Sequence, residues 1–274
     1  MARNVRCPVT CFCLLLPGLF HRSQSEFSDF CREKHFAYFC KKMEISGKKV
    51  TWIPLESNPE VMTKFVHKLG VPDKWSLCDV YGLDQELLAA LPQPVLAIIL
   101  LFPVSLESET NKSELEAKEK ETDAARDKVY HLIQYIRNAC GTIALIHSIA
   151  NNLDQIKLQD GELKNFLYET KDVASNERGE RLLEAKGISD IHKEVAGLGQ
   201  TEVPESGKVF HHFVAFVHKE GSIYELDGGK PHPVNHGSSS AETFLEDAAR
   251  VCREYMNRDP ENVQFNIIAL ARNE

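Results

Sequence analysis

Cys140 stands in Asn138-Ala139-Cys140-Gly141-Thr142, directly before the apolar run Ile143-Ala144-Leu145-Ile146-His147-Ser148-Ile149-Ala150. The run reads as a helix, which puts the cysteine at or near its first turn. Unpaired backbone N–H groups and the positive end of the helix dipole gather there. Both favour a thiolate, the nucleophilic form of cysteine. A base to share its proton lies downstream in Val209-Phe210-His211-His212-Phe213-Val214-Ala215-Phe216-Val217-His218, a β-branched and aromatic stretch that reads as a strand. After the turn Lys219-Glu220-Gly221-Ser222, a second strand runs Ile223-Tyr224-Glu225-Leu226-Asp227 into Gly228-Gly229. In such a hairpin a histidine at the start of one strand and Asp227 at the end of the other become neighbours. The histidine would take the thiol proton and Asp227 would orient the imidazole. Spacing alone does not choose between His211 and His212.

Each of these residues has an ordinary structural explanation when taken singly. A buried cysteine packs as a small apolar residue, a strand histidine can be structural, and aspartate before Gly-Gly is a common turn former. Their order is more telling, because cysteine on a helix followed by histidine and aspartate on strands is the order of papain-like enzymes.

The elements that must position these groups are legible in part. Asn58-Pro59-Glu60 starts a helix, with Asn58 as cap and Pro59 at the first position. Val61, Phe65, Val66 and Leu69 form its apolar face, and Gly70 ends it. Trp75 to Tyr81 alternates as a strand, and Asp84 caps a short helix through Ala90. Val95-Leu96-Ala97-Ile98-Ile99-Leu100-Leu101-Phe102 is continuously apolar and of strand length, the pattern of a strand buried on both faces. Glu162 to Tyr168, Asn176 to Ala185 and Glu242 to Met256 read as helices, and Val263 to Leu270 as the last strand. Leu106 to Lys128 is dominated by Glu, Lys, Asp and Ser and reads as a solvated helix or loop. Gly187 to Gly207 has four glycines and no clear period, so it reads as a long connection placed directly before the histidines. His192 within it reads as a solvated loop residue.

These segments resemble the ubiquitin carboxyl-terminal hydrolase family of thiol proteases, in particular its small cytosolic members. Asn138 to Thr142 matches the family's nucleophile segment, His212-Phe213 its histidine segment, and Tyr224-Glu225-Leu226-Asp227-Gly228 its aspartate segment. Gln134 falls where the family keeps an oxyanion-stabilising glutamine. Trp52 to Glu60, Asp79-Val80-Tyr81-Gly82 and Phe265 to Leu270 fit as well. The resemblance starts at about Trp52 and reaches the C-terminus. It assigns the base to His212 rather than His211, where the family usually carries an apolar residue. It implies an α/β (α+β) fold of papain-like cysteine protease type, a mostly antiparallel central sheet flanked by helices, with a crossover loop over the active site. That loop would lie near residues 187–208 and a mobile acidic loop near 105–128, within one catalytic domain spanning 47–274. The activity implied is removal of small or flexible groups from the C-terminal glycine of ubiquitin or a close ubiquitin-like modifier. Catalysis would be by Cys140, His212, Asp227 and Gln134, with no metal or cofactor. Glu56 and Asp79 become candidates to meet basic residues of ubiquitin. A ubiquitin-binding module with little turnover is the alternative.

Composition agrees with this in sign. The 274 residues carry 32 Lys/Arg against 40 Asp/Glu, a net charge of −8. The first forty-two residues are cationic, so the remainder is more acidic still. An acidic body argues against nucleic acid and anionic membrane as partners and suits a basic partner. Five of the eight cysteines fall within the first forty residues. Cys78, Cys140 and Cys252 in the body show no metal or disulfide spacing, which fits a reducing compartment. The expectation is a monomer in the cytoplasm, with the nucleus a second compatible compartment. Residues 1–46 read as a poorly ordered extension, with Met43 as an alternative start. Arg3 and Arg6 before the apolar stretch Cys7 to Phe20 give it a weak signal-like character. That stretch, broken by Pro8 and Pro17, is too short to span a bilayer.

Overall fold

A computed structural model describes residues 50–104, 128–200, 211–258, 260 and 263–273. The expected N-terminal extension, the acidic loop near 105–128 up to residue 127, residues 201–208 of the expected crossover loop, and Val209 and Phe210 of the expected strand lie outside the described residues. The apolar run at 95–102 becomes strand β2 (Val95–Pro103), buried from Val95 to Leu100. Its neighbours are β6 (Asn266–Arg272) and β3 (His211–Lys219), both antiparallel to it. With β1 (Trp75–Asp79), β4 (Ser222–Leu226) and β5 (Val234–Ser238), the order across the six-stranded sheet is β1-β6-β2-β3-β4-β5. Ala97 and Ile99 face one apolar cluster and Ile98 and Leu100 the other, so the strand has no polar side. That is the physical reason for the absence of alternation in its sequence.

Helices cover both faces. On one lie α1 (Pro59–Lys68), α3 (Cys140–Ala150), α4 (Glu162–Thr170), α5 (Ser175–Glu184) and α6 (Lys186–Ala196). On the other lie α2 (Gln85–Ala89) and α7 (Phe244–Met256). Asn58 caps α1, its Oδ1 accepting from Glu60 N and Val61 N at 2.9 and 3.3 Å. Asp84 caps α2, accepting from Leu87 N at 3.1 Å. β3 and β4 form a hairpin closed by Glu220-Gly221, both at positive φ (49° and 76°), as a two-residue turn between twisted strands requires.

Two expectations are corrected. The first half of the connection read as structureless is helix α6. Ile188, His192, Val195 and Ala196 are buried along one side of it, and Gly187, at its second residue, costs too little to stop it. β5 was not anticipated. It is polar and half-exposed, pairs with β4 alone, and so carries no hydrophobic alternation to read.

Candidate active site

α3 is buried from Gly141 to Ile149, a helix threaded through the core rather than laid on it. Cys140 is its first residue and is half-buried. Ala139 precedes it as a cap residue that has no side chain able to accept a hydrogen bond. The first-turn N–H groups of Cys140, Gly141 and Thr142 are therefore not covered by a capping side chain, and their dipoles converge beside the sulfur. Asn138 takes the left-handed conformation (φ 63°) that turns the chain into the helix. Its Nδ2 donates to the Trp52 carbonyl at 3.2 Å. At Gly141 a Cβ would lie 3.2 Å from Leu55 Cβ and 3.3 Å from the Phe213 ring. The missing side chain lets the helix start press against β3 at the residue after His212.

His212 is 8% exposed and pairs across the sheet with Phe102, whose ring meets the imidazole edge-on at 5.8 Å. Its Nε2 lies 2.7 Å from Asp227 Oδ1. Asp227 follows the last residue of β4, and the same Oδ1 accepts from Gly229 N at 2.7 Å, which fixes the carboxylate on its own turn. Cys140 lies near enough to the imidazole to favour its charged form. Burial pulls the His212 pKa down. The Asp227 carboxylate, through charge and hydrogen bond, and then Cys140 outweigh it, so the group titrates well above an ordinary histidine. A histidine held in its cationic form beside a thiol at a helix start is the environment of an activated nucleophile.

Gln134 reaches the site on an extended segment before α3. Its backbone N–H donates to the Gly228 carbonyl at 2.8 Å, while Ile133 N donates to the Ser175 carbonyl at 2.9 Å. The side chain is buried, with Nε2 donating to the Ile136 carbonyl at 2.9 Å and Oε1 without a hydrogen-bond partner among the described residues. An amide nitrogen has two hydrogens, so a second remains for a ligand oxygen. Gly228 joins this segment to the turn that carries Asp227. A Cβ there would lie 3.0 Å from Gln134 Cβ and 3.2 Å from Ile143 Cγ2.

Glu56 Oε2 accepts from the Gln200 backbone N–H at 2.6 Å, just beyond α6. Asp79 is the last residue of β1, half-exposed opposite Ile268. His211 is half-buried opposite Pro103.

Three histidines acquire positions that sequence reasoning missed. His192 is 1% exposed rather than solvated, because it lies on the buried side of α6 and packs against Trp52 with centroids 4.5 Å apart. The spacing Ile188, His192, Val195, Ala196 is the helical signal that would have placed it inward. His131 and His147 are fully buried and stacked, with centroids 5.0 Å apart and planes 17° from parallel. His131 Nε2 donates to the Asp227 carbonyl at 2.9 Å, and His147 Nε2 accepts from Leu132 N at 3.0 Å. No local pattern joins two histidines sixteen residues apart on a loop and a helix.

Comparison with known proteins bears on this geometry. Residues 52–257 match the family described as ubiquitin carboxyl-terminal hydrolase, family 1. The chain is 47% identical over 222 residues to a ubiquitin carboxyl-terminal hydrolase of Drosophila melanogaster, covering 81% of this chain and 97% of that one. It is 42% identical over 220 residues to ubiquitin carboxyl-terminal hydrolase isozyme L1 of Homo sapiens, covering 80% and 97%. Among solved structures, the catalytic domain of Trichinella spiralis UCH37 bound to ubiquitin vinyl methyl ester superposes with a TM-score of 0.67 at 26% identity. The match covers 84% of this chain and 99% of that one.

Proposed function

The chain belongs to family 1 of the ubiquitin carboxyl-terminal hydrolases, cysteine-type ubiquitin hydrolases, and on that premise we propose that Cys140, His212, Asp227 and Gln134 cleave small or flexible groups from the C-terminal glycine of ubiquitin. The carrying observation is the buried His212 imidazole held 2.7 Å from Asp227 Oδ1, with Cys140 at the start of α3 near enough to favour its charged form. Proton transfer from sulfur to His212 gives a thiolate–imidazolium pair, favoured by Asp227 and by the start of α3. The thiolate attacks the carbonyl carbon of the terminal glycine. The oxyanion is received by Gln134 Nε2–H and the Cys140 backbone N–H, a stabilisation of roughly 3 kcal/mol per donor. His212 returns the proton to the leaving amine, and the thioester forms as the C–N bond breaks. Water then loses a proton to His212, attacks the thioester and frees the thiol. Glycine at the substrate's last two positions has no Cβ and so fits the passage beside the helix start.

Glu56 and Asp79 are carboxylates offered to basic residues of ubiquitin, and a close ubiquitin-like modifier presents the same glycine-ended tail. The enzyme would act as a monomer and in the cytoplasm, where Cys78, Cys140 and Cys252, all free thiols, stay reduced.

The test is turnover of ubiquitin carrying a C-terminal fluorogenic amide by the wild type, Cys140→Ser, His212→Ala and His211→Ala. Wild type and His211→Ala should turn over; Cys140→Ser and His212→Ala should not. Equal turnover by wild type and Cys140→Ser would refute the mechanism. Binding without turnover by the wild type would leave a ubiquitin-binding module.

A further inference from the structure

His192 uses both ring nitrogens, and the two bonds go to different parts of the chain. Nε2 lies 2.7 Å from the Ile53 carbonyl and Nδ1 lies 2.7 Å from Thr142 Oγ1. A carbonyl can only accept, so Nε2 carries the hydrogen. In the neutral ring Nδ1 is then the acceptor, and the Thr142 hydroxyl donates to it. Burial lowers the His192 pKa, which agrees with the neutral form. The ring is wedged between Trp52 and Phe65, tilted 36° from the first and edge-on to the second at 6.1 Å. Its rotamer is therefore set by packing as well as by hydrogen bonds.

Thr142 is two residues after Cys140, in the same first turn of α3. The segment that receives the other bond also holds the chain on the opposite side of Cys140. Trp52 N donates to the Arg137 carbonyl at 3.0 Å, and Asn138 Nδ2 donates to the Trp52 carbonyl. The segment continues to Glu56, which holds the Gln200 N–H just past α6. The nucleophile is thus bracketed by a strip from Thr51 to Glu56, and His192 is the side chain that closes the bracket from α6.

We infer that His192 is a positioning residue for Cys140, orienting the first turn of the nucleophile helix through Thr142 and tying it to the Trp52–Ile53 segment. Among the described residues, the hydrogen bonds and ring contacts of His192 go to Thr142, Ile53, Trp52 and Phe65 rather than to Cys140 or His212, so its effect passes through the helix. Loss of the His192–Thr142 bond leaves a buried polar atom unpaired and frees the turn to rotate. The inference rests on Cys140 being the nucleophile of the proposed reaction.

Thr142→Val keeps the shape of the side chain and removes the hydroxyl, Thr142→Ser keeps the hydroxyl, and His192→Phe keeps the packed ring. Steady-state kinetics on the ubiquitin amide would be paired with the rate and pH profile of iodoacetamide alkylation at Cys140, read by mass spectrometry without ubiquitin. Thr142→Val and His192→Phe should lower kcat about tenfold with KM unchanged, and slow alkylation by a similar factor. Thr142→Ser should recover to within about twofold of wild type. Should His192→Phe fold poorly, the two threonine variants carry the test. A lower melting temperature with unchanged kcat and alkylation profile would overturn the inference in favour of a purely structural role. A raised KM at constant kcat would overturn it too, as would a serine variant no better than valine. If the wild type does not turn over the ubiquitin amide, the proposed reaction fails while the alkylation series still decides whether His192 positions the thiol.

Discussion

Asp227 is gripped by two histidines, His212 at its carboxylate and His131 at its carbonyl. Both rings are buried, yet their electrostatics run in opposite directions. His212 faces a full negative charge and a thiol that can ionise, so its cation is favoured despite burial. His131 is offered only a carbonyl. Burial, the first cause, draws its pKa down to about 4, with smaller opposing contributions from Asp227 and reinforcing ones from His232 and Arg178. His147 behind it is also held well below an ordinary histidine, by burial and then by His131 itself. Burial sets the cost of charge, and what the partner atom carries decides whether that cost is met. The carboxylate side of Asp227 is therefore suited to proton transfer, and the carbonyl side to holding the turn still.

Removing the charge from Asp227 breaks the comparison most severely. Asp227→Asn keeps an oxygen able to accept from Gly229 N–H but leaves His212 no anion. His212 would then fall under the same rule as His131 and favour the neutral ring. The expected loss in kcat is about a thousandfold, since the imidazole loses both its tautomer control and its cation stabilisation. A loss smaller than about tenfold, measured on the ubiquitin amide, would mean that Asp227 does not govern His212.

How much of this was legible in the sequence follows from which contacts are local. The hairpin could be read because Glu220-Gly221 sits between two strands of clear composition, and it brings His212 and Asp227 together. β2 and the Asn58 and Asp84 caps were legible for the same reason, each being decided by adjacent residues. The position of β6 between β1 and β2 was not, because nothing near Asn266 states that the C-terminal strand inserts there. His192 was obscured by the glycines around α6 and by reading the whole stretch as one connection. The choice of His212 over His211, and the significance of Gln134, came from family resemblance rather than from spacing. The Gly228 contact that joins Gln134 to the Asp227 turn lies outside local pattern altogether.

That contact gives the next prediction. In Gly228→Ala the new methyl would crowd Gln134 Cβ, Gln134 N and Ile143 Cγ2, at 3.0 to 3.3 Å. All three are packed, so the strain falls on the segment carrying Gln134, the proposed oxyanion donor. A stability loss of about 1–3 kcal/mol is expected. The loss in kcat should be of order tenfold or more, as the donor moves off its target. Gly161→Ala is the control: a Cβ there meets nothing within 4 Å, and the change should be within about 0.5 kcal/mol by urea unfolding. If both variants unfold and turn over alike, Gly228 is not the joint between Gln134 and Asp227.

The smallest effect expected concerns pH, and it separates the two histidine environments without destroying either. His131 has a folded pKa of about 4 against 6.5 for the ordinary group, so the unfolded chain takes up protons that the folded chain resists. Stability from this source is present above about 6.5 and is lost as pH falls towards 4. Its slope is at most about 1.4 kcal/mol per pH unit per histidine. His147 adds in the same direction. His212 has the opposite sign: its raised pKa, about 10, gives stability present below 6.5 and lost as pH rises through the folded value. The buried carboxylate of Glu225, ion-paired with Lys230 and His236, is held well below its ordinary 4.5, so its contribution disappears only at more acid pH. The interval from 6.5 to 4.5 therefore reports the buried histidines. His131→Phe keeps a stacked ring against His147, and the Asp227 carbonyl keeps the Lys230 N–H at 3.0 Å. Urea midpoints for this variant should fall less steeply between pH 6.5 and 4.5 than those of the wild type, while both proteins weaken alike at alkaline pH. An unchanged acid slope would mean that His131 is not the buried neutral group holding the Asp227 turn.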